Sequence, residues 1–224
     1  MKEKGVLAAL SVVLVLVGIG VGYIAGTSGS PKTVTVTTVM TGQGGAQAPA
    51  PYVLTLVVTT NNHYNSSVGD QPAFYVLGPK GLQSSANISL PAHRLIKLVL
   101  INYDSGAANL TQAKYSDVSG TVGNSILVIN DSLIDSRQTS SGIDIRGAQN
   151  ETSVPPSVIA HTFTIPSLGI NIPVPTQSTV VAYFEINTPG TYTWFCMTLC
   201  GSGPNGLGGA MSTPGWMTGT VVVS

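Results

Sequence analysis

Cys196 and Cys200 are the only cysteines in the 224 residues, spaced Cys-x3-Cys behind an aromatic stretch and ahead of a glycine-rich loop. Two thiolates four residues apart on a loop can bridge a binuclear copper centre, because soft sulfur favours copper and a loop lets both sulfurs face one point. The same pair can close a disulfide where the compartment is oxidising. A thioredoxin-like site fits less well, since it asks for Cys-x2-Cys at a helix start in an α/β setting. Of the three histidines, His161 falls within a β-branched apolar run, as a metal ligand or a satisfied interior histidine. His63, in Asn61-Asn62-His63-Tyr64, and His93, in Pro91-Ala92-His93-Arg94, read as exposed imidazoles without a metal. Trp194, Phe195 and Trp216 flank the cysteines and serve either as core aromatics or as a shield for a redox centre. Gly201 to Gly209 lacks the Gly-Lys-Ser/Thr ending of a phosphate loop, and no Gly-x-Ser-x-Gly elbow supports a hydrolase.

The elements that must position these residues read as strands. Tyr52 to Thr60, Ala73 to Leu77, Leu95 to Tyr103, Ser125 to Ile129, Val158 to Ile165, Thr179 to Ile186, Thr191 to Cys196 and Gly219 to Val223 are β-branched or aromatic, and most end in turn residues. Eight short strands without a convincing amphipathic helix predict an all-β sandwich with Greek-key connections over residues 52–224. Pro166, Pro173 and Pro175 mark a loop after the fifth strand, and Thr188-Pro189-Gly190 a turn before the seventh. Asp104 to Pro156 is polar apart from the Ser125 to Ile129 run and reads as a surface insertion, 104–156.

Ahead of this domain, Gly5 to Gly26 carries no charge over 22 residues, about 33 Å of helix at about 1.5 Å per residue, enough to span a bilayer. Lys2 and Lys4 before it, and Tyr23 near its far end, predict one transmembrane helix with a cytoplasmic N-terminus and an extracellular C-terminal domain. A cleaved signal peptide competes with that reading, although the run is long and lacks a clear Ala-x-Ala site. Residues 1–26 are thus the cytoplasmic start and lipid anchor, and 27–51 a Ser/Thr/Gly/Pro-rich linker. Within the linker, Lys32 to Met40 alternates like an edge strand. Five Asn-x-Ser/Thr sequons, at Asn65, Asn87, Asn109, Asn130 and Asn150, all fall on the external side, as candidate glycosylation sites. Charged residues make up 8% of the chain, nine basic against nine acidic and scattered singly, which argues against a nucleic-acid partner. So few ionisable groups suit an acidic exterior as well as a neutral one.

Three segments resemble the cupredoxin domain of subunit II of haem-copper oxidases, archaeal-like in character. His161-Thr162-Phe163-Thr164-Ile165-Pro166-Ser167-Leu168-Gly169-Ile170 is similar to the stretch carrying that family's first copper histidine. Pro189-Gly190-Thr191-Tyr192 through Cys196-Met197-Thr198-Leu199-Cys200-Gly201 resembles its Pro-Gly turn and Cys-x3-Cys-Gly loop, and Met217 to Val223 its methionine ligand and final strand. With the anchor, the resemblance covers roughly residues 1 to 30 and 155 to 224. It implies copper ligation by His161, Cys196, Cys200, Met217 and the backbone carbonyl of Thr198. It implies a partner resembling oxidase subunit I, and electron transfer or structural docking at the external face with no catalysis by this chain alone. The pattern departs at the family's second histidine, where Pro204 and Pro214 stand, and no histidine follows His161. That gap tilts the expectation from bound copper towards a metal-free, disulfide-stapled surface. The alternatives are a free-standing anchored cupredoxin, blue-copper or metal-free, and a glycosylated surface or filament protein.

Overall fold

The computed structural model describes residues 49–60, 72–130, 135–139, 142–146, 148–200 and 209–224, with backbone alone for 135–139 and 142–146. The expected anchor at 5–26, the linker up to residue 48, His63, Asn65 and Pro204 lie outside the described residues.

Fourteen strands form among the described residues: β1 (Tyr52–Thr59), β2 (Ala73–Gly78), β3 (Gly81–Ser84), β4 (Asn87–Leu90), β5 (Leu95–Asn102), β6 (Ile126–Asn130), β7 (Asp135–Thr139), β8 (Gly142–Arg146), β9 (Ala148–Glu151), β10 (Ile159–Ile165), β11 (Ile170–Pro175), β12 (Ser178–Glu185), β13 (Gly190–Phe195) and β14 (Thr218–Val223). A seven-stranded sheet runs β3-β2-β1-β5-β12-β6-β9, a five-stranded sheet runs β11-β10-β13-β14-β4, and β7 pairs with β8. The protein is therefore all-β. Most pairings are antiparallel; β1 with β5 and β4 with β14 are parallel, because the chain changes sheet between them.

Alternation makes the core. In β5, Ile96, Leu98 and Leu100 are wholly buried between more exposed neighbours, and in β12 Val180, Ala182 and Phe184 repeat the pattern in register with them. Period-two side chains place one apolar row on one face of a strand. The five-stranded sheet supplies Phe163, Trp194 and Val221 to the same core cluster. Every residue of β10 is buried.

Two expectations are corrected. Pro173 and Pro175 stand in β11 rather than in a loop. β11 is the outer strand of its sheet, where a residue without an N–H leaves the ladder to β10 intact. The stretch 104–156, expected on the surface, extends the large sheet through β6 and β9 and buries Tyr115, Val118, Ile126 and Val154. Its 113–119 portion lies against β11, with Ser119 and Asn171 exchanging both backbone hydrogen bonds at 3.0 and 2.9 Å.

Candidate metal centre

β10 carries His161 next to an irregularity in its pairing with β11, where the register shifts between Ile159 and His161. Such bulges re-aim side chains and occur beside functional sites. β13 ends at Phe195 and delivers Cys196, whose N–H donates to the Met217 carbonyl at 2.8 Å. The strand pair β13–β14 thus brings Cys196 and Met217 together, with Cys200 following one loop later. His161, Cys196, Thr198, Cys200 and Met217 are all buried.

The three strong donors converge. His161 Nδ1 lies 2.9 Å from Cys200 Sγ and 3.8 Å from Cys196 Sγ, and the two sulfurs are 3.4 Å apart. Among the described residues these three form the one His/Cys/Asp/Glu group whose ligand atoms could share an ion. A tetrahedral soft-metal site with bonds of about 2.3 Å to sulfur and about 2.0 Å to nitrogen sets S···S near 3.8 Å and N···S near 3.5 Å. Two of the three observed separations lie close to that triangle. The short third is the hydrogen bond between Nδ1 and Cys200, which a bound ion would replace. The donor set fits one thiophilic ion.

No disulfide joins the two cysteines, whose sulfurs stand 3.4 Å apart. Each sulfur is instead engaged by the Thr198 hydroxyl, at 3.1 Å from Cys196 and 2.7 Å from Cys200, and Cys196 also accepts the Thr162 N–H at 3.4 Å. The Thr198 backbone carbonyl accepts the Cys200 N–H at 2.9 Å. Thr198 therefore meets the sulfurs through its side chain, which the resemblance did not suggest. His93 is exposed, and Phe74 packs edge-on against His161 with ring centroids 5.9 Å apart. Of the flanking aromatics, Trp194 and Trp216 are buried and Phe195 is 37% exposed.

Asp104 is the site residue that sequence reading missed. Its Oδ2 sits 3.0 Å from His161 Nε2. The one signal for it was an acid in the turn-like Asn102-Tyr103-Asp104-Ser105-Gly106 of a chain holding only nine acidic residues. Burial opposes a charge on His161, yet the hydrogen bond to Asp104, with the Cys196 sulfur behind it, raises the imidazole to about 9. Burial likewise opposes the Asp104 carboxylate, but His161 and the Gly106 N–H outweigh it and hold the pKa below its ordinary value. The two sulfurs act as a unit. Burial disfavours a thiolate on Cys196, but donation from Cys200, the His161 imidazolium and the Thr198 hydroxyl bring it well below the ordinary thiol value. Hydrogen bonding to that sulfur, together with burial, pushes Cys200 well above it.

No protein-family model and no curated protein matches the chain. Among solved structures it is similar to the periplasmic domain of subunit II of cytochrome oxidase from Bradyrhizobium japonicum, at 12% identity over 80% of this chain and 88% of that one, TM-score 0.33. It is also similar to rusticyanin from Thiobacillus ferrooxidans, at 14% identity over 77% and 76% of the two chains, TM-score 0.31. Auracyanin B gives 14% identity over 80% and 93%, TM-score 0.32. At such scores these likenesses say nothing about the chemistry of this site.

Proposed function

We propose that this chain is a membrane-anchored, external cupredoxin-like component of a terminal oxidase, similar to subunit II, whose buried site binds one copper ion for electron transfer. The observation that carries this reading is the convergence of the His161 nitrogen and two free cysteine sulfurs within 4.8 Å of one another, all buried. Soft thiolates with one imidazole select copper over hard cations. His161, Cys196 and Cys200 would hold the ion, with buried Met217 as the weak fourth ligand; bound copper supplies a one-electron couple. The chain's own residues exclude water and keep the sulfurs hydrogen-bonded through Thr162 and Thr198. A two-copper centre needs a second imidazole, and the sequence has no histidine after His161. The anchor at 5–26 places the domain outside the membrane, beside a subunit I-type partner.

The test is copper content and visible absorption of the full chain, purified anaerobically with reduced thiols and loaded with copper. The expected result is one ion per chain with an intense thiolate-to-copper band, lost in Cys196→Ser. Two ions per chain, or none, overturns the single-copper reading. Purification from native membranes is expected to bring haem-containing subunits along; isolation without them replaces the oxidase assignment with a free-standing anchored carrier.

A further inference from the structure

We infer that the segment from Asp104 to Thr111 is a positioning strap for the metal site, Asp104 fixing the ring of His161 while Asn109 and Thr111 brace the cysteine loop. This rests on the copper reading above. Asp104 is itself immobilised. Its N–H donates to Asn102 Oδ1 at 3.0 Å, its carbonyl accepts the Gln177 N–H at 2.9 Å, and its Oδ1 accepts the Gly106 N–H at 2.8 Å. Asn102 is wholly buried and donates to the Pro175 carbonyl at 2.8 Å, so the anchor of the anchor is part of the core. Those bonds leave Oδ2 aimed at His161 Nε2, 3.0 Å away. A carboxylate on one ring nitrogen keeps the proton there and turns the other nitrogen to the metal. Here that other nitrogen is Nδ1, which faces both sulfurs.

Five to seven residues on, the same segment reaches the cysteine loop. The Leu199 N–H donates to the Asn109 carbonyl at 2.8 Å, and the Met197 carbonyl accepts both the Thr111 N–H at 2.8 Å and its hydroxyl at 2.9 Å. Leu110 and Thr198 form an antiparallel bridge between these bonds. The Ala108 N–H donates to the Ile159 carbonyl at 2.9 Å, tying the strap to the strand that carries His161. The three residues between the cysteines are therefore paired with the chain segment that orients the histidine, and one short strap sets both halves of the donor set.

The test uses the full chain, reduced, with Asp104→Ala, Asp104→Asn and Thr111→Pro, and Thr111→Val as the milder form should the proline variant fail to fold. Cu(I) is titrated against a competing chelator. Asp104→Ala is expected to weaken Cu(I) binding by about 10–100-fold, the usual loss when a partner of a metal-bound histidine is removed. Asp104→Asn, whose amide oxygen accepts the same bond, is expected to recover most of it. Two metal-free readouts separate this inference from the copper reading: the ring-nitrogen chemical shifts of His161, and the rate of iodoacetamide alkylation of the cysteines. Loss of the single ring state in Asp104→Ala, with alkylation at least several-fold faster in the Thr111 variant, supports the strap even if wild-type protein binds no copper. Wild-type Cu(I) affinity, ring shifts and alkylation in all variants overturn it, and leave the copper reading standing.

Discussion

Gly219 offers the sharpest test of how the two halves of the site are held in register. It pairs with Trp194 across β13 and β14, two residues from Met217 on one strand and from Cys196 on the other. A Cβ there meets Trp194 Nε1 at 2.5 Å, the Ser85 carbonyl at 2.6 Å and the Ala86 carbonyl at 3.0 Å. None of these neighbours can withdraw freely. The Ser85 hydroxyl donates to the carbonyls of Phe74 and Gly215 at 2.9 and 3.1 Å, and the Ala86 carbonyl accepts the Thr220 N–H at 2.8 Å. The indole must then move, and its 3.1 Å hydrogen bond to Ser85 breaks inside the core. Overpacking costs about 1–3 kcal/mol, and a buried donor without a partner costs a further 1–3 kcal/mol, roughly. Gly219→Ala is thus expected to lose about 2–6 kcal/mol, which at about 2–4 °C per kcal/mol lowers the melting temperature by about 4–24 °C. Gly169→Ala is the control: its φ is +65° but no atom lies within 4 Å of the added carbon, so only the left-handed backbone is charged, about 1 kcal/mol. Thermal melts of the metal-free protein, followed by circular dichroism and tryptophan fluorescence, compare the two. A Gly219→Ala protein melting with wild type, or above Gly169→Ala, refutes the packing argument.

The pH dependence of metal-free stability follows from the ion pair at the site. His161, raised to about 9, contributes stability below its ordinary 6.5 and loses it as pH rises to 9; lowered Cys196 contributes above its ordinary 9.0 and loses it as pH falls. Between about 6.5 and 9 the two slopes oppose each other, because folding adds a proton at His161 and removes one at Cys196. A plateau across that window, with a decline on its acid side that His161→Gln reduces, is the expected urea-unfolding profile; a steady fall from pH 6.5 to 9 contradicts it. Asn171 accepts the Thr164 hydroxyl at 2.7 Å and donates to the carbonyls of Tyr115 and Asp117 at 3.1 and 2.6 Å. Asn171→Leu is expected to cost about 2–4 kcal/mol from the partners it strands and to speed amide exchange at 113–119; unchanged exchange there counts against it. Asn87, Asn109 and Asn150 are exposed, so glycopeptide mapping of protein from its native membrane is expected to find sugar at these, and an unmodified mass contradicts the external placement they support.

All eight strands read from sequence form, with ends displaced by a residue or so, because each has the β-branched or aromatic composition of a strand, and β5 and β12 add the period-two rows of a half-buried one. β5 shows why: LIKLVLIN writes its buried face into alternate letters. β11 hid for the opposite reason. Its two prolines are the usual mark of a loop, and only knowledge that the strand lies at an edge makes them compatible with pairing. β3, β4 and β9 are four residues each, too short to carry a periodic signal, and were ordered by neighbours distant in sequence.

The donor set was legible for a related reason. Cys196, Cys200 and Met217 lie at or just beyond the ends of two adjacent strands, so spacing along the chain nearly fixes their spacing in space. His161 joins them because β10 pairs with β13 at Thr164 and Phe195, one residue before Cys196. Asp104 has no such route. It reaches His161 across 57 residues from the far end of β5, and nothing in a strand's periodicity says which loop folds over which neighbour. Composition carried more than was read from it: between Glu151 and Glu185 the chain has no Asp, Glu, Lys or Arg, and after Glu185 it has none at all. A charge for a buried imidazole therefore had to come from Glu185 or from before residue 152. Few carboxylates stood there at the mouth of a strand, and Asp104, followed two residues later by a glycine whose N–H holds its other oxygen, was the one built to be rigid.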